Sequence, residues 1–337
     1  MKFVLEKIAS FAIVAIVAVT SQYALAEAIE VNAIPIPLQN DAPDQTKVGA
    51  LTYAGGLHLV ASDGRFGGFS GLGVSQDGTR LVSVSDRGMS LSMRMIYDVD
   101  GNLMGGHEFD LGTLADRDGT ALRGKRWTDA EAMSPGVEGE IIIAFERDHR
   151  IWRYDAGSTI PRVLRPPEEV KSMPGNDGIE SLTLLNDGRL FAIAEGSKRE
   201  DFTVGWVSRT GGWDVLTYKT GDGFRATGAA TLPGGDVLVL ERYYTPRQGV
   251  RIRIKRVDHT TIQAGAEVTG KLIAELTPPM NIDNFEGIDV RPGPDGVPLV
   301  YLISDDNFSN DQRTLLMMFK GTSKNSPAPS FNRVESR

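Results

Sequence analysis

A chain of 337 residues with 38 glycines, 17 prolines and no cysteine excludes a disulfide framework and a lipobox-type lipid anchor. Its formal net charge of −8, without basic blocks, makes it a poor candidate for neutralising nucleic-acid phosphates and leaves it compatible with holding a cation. Helix caps and amphipathic heptads are nearly absent, and Gly and Pro punctuate short Val/Ile/Leu/Phe runs, the profile of an all-β domain.

The chain opens on a processing signal. Lys2 and Lys7 flank the start, Ile8 to Val19 is apolar, and Ala24-Leu25-Ala26 offers a small-x-small cleavage site before Glu27. An apolar stretch of about 12 residues is too short for a bilayer, which takes roughly 20 helical residues. Residues 1–26 are therefore expected as a signal peptide, and the mature protein as soluble, without a membrane anchor, and periplasmic or secreted. Residues 27–50 read as a polar, Pro-containing lead-in in which Ala33 to Leu38 is expected as an edge strand. A repeat fills residues 51–320, and residues 321–337, rich in Ser, Pro and Asn, read as a disordered tail.

Five copies of a short motif define the repeat: Ser70-Gly71-Leu72, Glu131-Ala132-Met133, Glu180-Ser181-Leu182, Thr227-Gly228-Ala229 and Glu286-Gly287-Ile288. A Gly or Asp-Gly turn follows each copy, as at Asp77-Gly78, Gly139, Asp187-Gly188, Gly234-Gly235 and Asp295-Gly296. Next comes an apolar run ending in an acid, at Asp86, Glu146, Glu195, Glu241 and Asp305. Hairpin units repeating every 50–60 residues or so suggest propeller blades, because one small sheet cannot bury its faces without stacking on neighbours.

Third strands are expected at Met93 to Val99, Ile151 to Tyr154, Val204 to Val207 and Val250 to Val257, with outer strands such as Arg162 to Leu164 and Asp214 to Tyr218. The last copy lacks a fourth strand, whereas Leu57 to Ala61 looks like an outer strand without its blade. Joining the two closes a five-bladed ring and leaves no exposed end blade. A degenerate sixth blade, in the long steps after Ser70 and Thr227, is the alternative.

In a propeller the innermost strands line the central channel. Ser70, Glu131, Glu180, Thr227 and Glu286 each begin such a strand, so they should converge on the axis. Three carboxylates meeting there repel one another unless a cation sits among them, and an all-oxygen donor set suits Ca²⁺. The plainer alternative is that these residues only satisfy backbone groups. A second ring, Asp86, Glu146, Glu195, Glu241 and Asp305, is expected around the channel mouth with Arg87, Arg147, Lys198, Arg242 and Arg313 interleaved. Alternating acids and bases suit a metal-assisted phosphoester site, in which guanidinium groups clamp phosphate oxygens. The alternative is a salt-bridge belt holding blades together. No Gly-x-Ser-x-Gly elbow, His-Glu-x-x-His pair or complete Gly-x-x-x-x-Gly-Lys-Ser/Thr loop is present.

The repeats, with Asn284-Phe285-Glu286-Gly287-Ile288 and Tyr301 to Phe308 leading to Gln312-Arg313-Thr314-Leu315-Leu316, resemble the bacterial phytase-like family, described as having esterase-like activity. The resemblance covers about residues 50–320. The chain is similar, more distantly, to the calcium-activated nucleotidases (apyrases). Their five inner strands begin with Ser, Glu, Glu, Ser and Glu around one axial Ca²⁺; Ser70, Glu131, Glu180 and Glu286 match in type, and Thr227 keeps the hydroxyl. Together with the leader, these imply an exported metal-dependent hydrolase, expected as a monomer, acting on a small phosphoester or related ester at the mouth. A non-catalytic calcium-pinned binding module and a lactonase-type esterase are the alternatives.

Overall fold

The computed structural model describes residues 26–197 and 199–321. The expected signal peptide and tail lie outside the described residues, except for Ala26 and Gly321. The chain forms five antiparallel blades, so the six-bladed alternative falls. From the axis outward, blade one is Phe69–Val74, Arg80–Ser85, Met89–Tyr97 and Leu103–Thr113; blade two is Ala130–Pro135, Ile141–Phe145, Arg150–Tyr154 and Arg162–Leu164. Blade three is Ile179–Leu184, Leu190–Ala194, Phe202–Arg209 and Gly212–Lys219; blade four is Arg225–Thr231, Val237–Thr245, Gly249–Val257 and Lys271–Leu276. Blade five is Phe285–Pro292, Pro298–Ser304 and Thr314–Lys320, completed by Leu51–Ala61 from the N-terminal side, as the sequence predicts. The innermost strands neighbour one another around a closed ring.

The long repeat steps hold insertions instead of a blade. After blade one, residues 114–129 carry the short helix Lys125–Thr128. In blade four, residues 258–270 supply Glu267–Thr269, which pairs in parallel with the outer strand of blade three. The lead-in is structured too: Glu27–Ala28 adds to the edge of blade one and Val31–Pro35 to the edge of blade five, clasping the closure.

Close packing around the axis explains the small residue in each motif. A Cβ at Gly71 would lie 2.5 Å from Met133 Cβ, and one at Gly228 would lie 2.5 Å from the Glu286 carbonyl oxygen. Larger side chains there would force neighbouring blades apart. The apolar core is distributed between blades, as where Ile151, Ile179 and Trp206 meet between blades two and three. Interdigitated side chains of this kind supply most of the folding free energy.

Asp306 stitches the seam between the last blade and the first. Its Oδ1 accepts hydrogen bonds from Gly68 N and Phe308 N, each at 3.0 Å, and its Oδ2 accepts one from Thr314 Oγ1 at 2.9 Å. Asp306→Ala should lower unfolding free energy by about 1–3 kcal/mol in urea denaturation, because it orphans these donors.

Candidate active site at the channel mouth

Every innermost strand carries a β-bulge at its motif residue. The ladder with the second strand slips between Phe69 and Gly71, Ala130 and Ala132, Ile179 and Ser181, Ala226 and Gly228, and Phe285 and Gly287. Ser70, Glu131, Glu180, Thr227 and Glu286 are the extra residues. A bulge re-aims a side chain that regular alternation would send into the space between blades.

Ser70, Glu180 and Glu286 line a cavity of about 10 Å³ on the axis. Burial, then the charge of Glu180, pushes Glu131 well above the ordinary carboxylate range. Burial also raises Glu180, reinforced by Glu146, Glu195 and Glu286. Glu286 is raised by burial but restrained by Arg242 and by the Asn284 amide, whose Nδ2 donates to Glu286 Oε1 at 2.9 Å. The Ser70 hydroxyl lies near Glu286 and helps hold its pKa down, yet Ser70 Oγ makes no well-formed hydrogen bond. Thr227 differs from the others: its hydroxyl donates to the Phe285 carbonyl at 3.2 Å.

The second ring is set by backbone pairing. Asp86 N, Glu146 N, Glu195 N and Asp305 N donate to Gly68, Asp129, Gly178 and Asn284 carbonyls, respectively. The corresponding pair in blade four is Arg225 with Arg242. Arg242 therefore occupies the ring position expected for Glu241. Glu241 is fully buried one residue earlier, where Tyr218 Oη donates to its Oε1 at 2.9 Å and Lys255 Nζ lies 2.8 Å away. It pins blade three to blade four and is absent from the mouth.

The remaining predicted residues divide by partner. Asp86 pairs with Lys125 at 2.7 Å, and Arg147 Nε with Asp129 Oδ2 at 2.6 Å. Glu195 pairs with Arg225, and burial drives its pKa up to about 7 against the pull of Arg225 and Arg242. Glu146 is raised by burial and restrained by the Gly178 N–H; Asp305 is raised well above its usual range by burial and by Glu286. Arg87 lies over the Phe308 ring, 3.2 Å from its centroid. Arg313 bonds to Asn281 and the Ile282 carbonyl, and Lys198 lies outside the described residues.

Three site residues escaped the sequence reading: Asp129, Arg225 and Asn284, each two positions before a motif residue. Oxygens of Asp129, Glu131 and Glu146 lie within 4.8 Å of one another, a spacing that could hold a cation. Extending the motif two residues upstream would have pointed to them, although Gly68 and Gly178 occupy the same position in other blades.

The sequence model of the phytase-like family, described as esterase-like activity of phytase, matches residues 64–308. The chain belongs to the phytase-like family. That membership, on a five-bladed propeller, supports a hydrolase-type protein. No curated protein matches this phytase-like chain. Among solved structures, it is similar to a protein of unknown function from Dyadobacter fermentans, with 14% identity, a TM-score of 0.43, and coverage of 88% of this chain and 95% of that one. It is also similar to virginiamycin B lyase from Staphylococcus aureus, with 11% identity, a TM-score of 0.41, and coverage of 87% and 100%. Likenesses of that degree carry no argument about activity.

Proposed function

We propose that this phytase-like protein is an exported, metal-dependent hydrolase of phosphoesters or related small esters, working at the channel mouth. The observation that carries the reading is the convergence of Glu131, Glu180 and Glu286 on the axis, with Asp129, Glu146 and Asp305 beside them. Five buried carboxylates and the half-buried Glu131, with Ser70 Oγ and Asn284 Oδ1 buried and lacking hydrogen bonds, fit a hard divalent cation such as Ca²⁺. Glu131, Glu180 and Glu286 would hold it, with Ser70 as the neutral oxygen donor. A bound cation would supply Lewis-acid polarisation of a substrate oxygen and a more acidic water. Around it, Glu146, whose pKa is raised by burial, is placed to exchange a proton, and Arg242 to orient an oxygen. The leader-like residues 1–26 support export.

The test is a screen of purified protein against phosphomonoesters, nucleotides, phytate, carboxyl esters and lactones, in Ca²⁺ and in EDTA. Calcium-dependent turnover is expected, reduced in Glu180→Gln by at least the 10–100-fold typical of disturbing a metal site. Background rates for every substrate in metal-loaded protein would favour the binding-module alternative.

A further inference from the structure

Five equivalent positions at the mouth carry four carboxylates and one guanidinium. Most neighbouring cations are already engaged: Lys125 by Asp86 and Asp129, Arg147 by Asp129, Arg225 by Glu195, and Arg313 by Asn281. Arg242 differs. Among the described residues its guanidinium donates no hydrogen bond, its nearest carboxylate oxygens lie at 3.6 Å on Glu195 and 3.7 Å on Glu286, and its Nε is buried without a partner. Its side chain is 19% exposed, so it can be reached from the mouth.

We propose that Arg242, with Arg87 on the rim, recognises the negatively charged group of an anionic ester, a phosphomonoester in the first instance, so that the mouth selects anionic over neutral esters; this rests on the hydrolase reading above. A guanidinium presents five donors in a planar fork matched to phosphate or carboxylate oxygens. Left in place without acceptors, buried donors cost free energy that an anionic oxygen recovers. Arg87 adds a second cation, held flat against Phe308 and with no carboxylate partner among the described residues. Phe308 is itself held at φ 50 by the Asp306 carboxylate, which accepts from Phe308 N at 3.0 Å, so the ledge under Arg87 is rigid. A cation bound by the axial glutamates would remove the charge that balances Arg242, and an anionic ester would restore it.

Inorganic phosphate is the direct probe. Calcium-loaded protein should bind it, and Arg242→Gln should weaken binding about tenfold or more, with Arg242→Lys recovering only part because charge returns without the fork. In parallel, the ratio of kcat/KM for p-nitrophenyl phosphate to that for p-nitrophenyl acetate should fall by about tenfold or more in Arg242→Gln. Should that variant fail to fold, Arg87→Gln at the exposed rim provides the same phosphate readout. Phosphate binding that is absent, or unchanged in both variants, overturns the proposal, as does turnover of the neutral ester alone. Phosphate binding lost in Arg242→Gln without turnover of any ester supports this assignment and sinks the hydrolase reading instead.

Discussion

Lys255→Met is expected to lower the unfolding free energy by about 3–5 kcal/mol, because it strands a buried carboxylate. Lys255 Nζ lies 2.8 Å from Glu241 Oε1 and donates to the Thr220 carbonyl at 2.6 Å. Burial raises the pKa of Glu241, and Lys255 opposes that rise. Removing the cation leaves Glu241 and the Tyr218 hydroxyl between two blades without a counter-charge. A double replacement, Lys255→Met with Glu241→Leu, should recover most of the loss, since an apolar pair of similar volume often costs nothing relative to a buried ion pair. Urea denaturation of the single and double variants measures this directly. Single-variant losses under about 1 kcal/mol would contradict the pin role, being the size of an exposed pair. Glu241→Gln should also leave calcium binding intact, since the Glu241 carboxylate is engaged by Tyr218 and Lys255 between blades.

A second large effect belongs to the opposite end of the channel. Asp289 lines a cavity of about 600 Å³ shared by all five blades, and its Oδ2 accepts from Val74 N at 2.6 Å. Burial raises its pKa from 3.8 to about 7. The fold therefore favours the neutral acid, whereas the unfolded chain ionises near 3.8. The resulting stabilisation is fully present below pH 4 and is lost as pH rises to about 7. At 1.36 kcal/mol per unit, it amounts to something on the order of 4 kcal/mol. Asp289→Asn keeps an acceptor for Val74 but cannot ionise. The stability of the natural protein relative to this variant should fall by that amount between pH 4 and 7. Parallel stability curves for the two proteins across that range would refute the assignment. The raised glutamates at the mouth are common to both and cancel.

Much of the fold was legible because each blade imposes the same two demands at the same place. A side chain must reach the axis, and its successor must be small enough for the next blade to approach, as at Gly71 and Gly228. Closure by an N-terminal strand was legible from a blade short of one strand, and Leu51–Ala61 supplies it. Outer strands were harder to see. Leu103–Thr113 contains Gly105 and Gly106 and buries its residues irregularly, so period-two alternation is weak. The site was read less completely than the fold. Glu241-Arg242 has the same letters as Glu146-Arg147, but the blade-four strand runs on to Thr245 and pairs Ala226 with Glu241. That register turns Glu241 between blades and Arg242 toward the mouth. Asp129, Arg225 and Asn284 share a position but no chemistry, so no repeated letter marks them.

The measurement that tests the central claim most directly is calcium binding to the axial glutamates, followed by calorimetry and thermal unfolding. One Ca²⁺ per chain is expected, and at a hundredfold excess over Kd binding should stabilise the fold by roughly 2.7 kcal/mol. EDTA should lower Tm, and Glu180→Gln should weaken binding and shrink the calcium-dependent shift. An unchanged melting curve with and without EDTA, in protein that elemental analysis finds free of metal, would contradict the account.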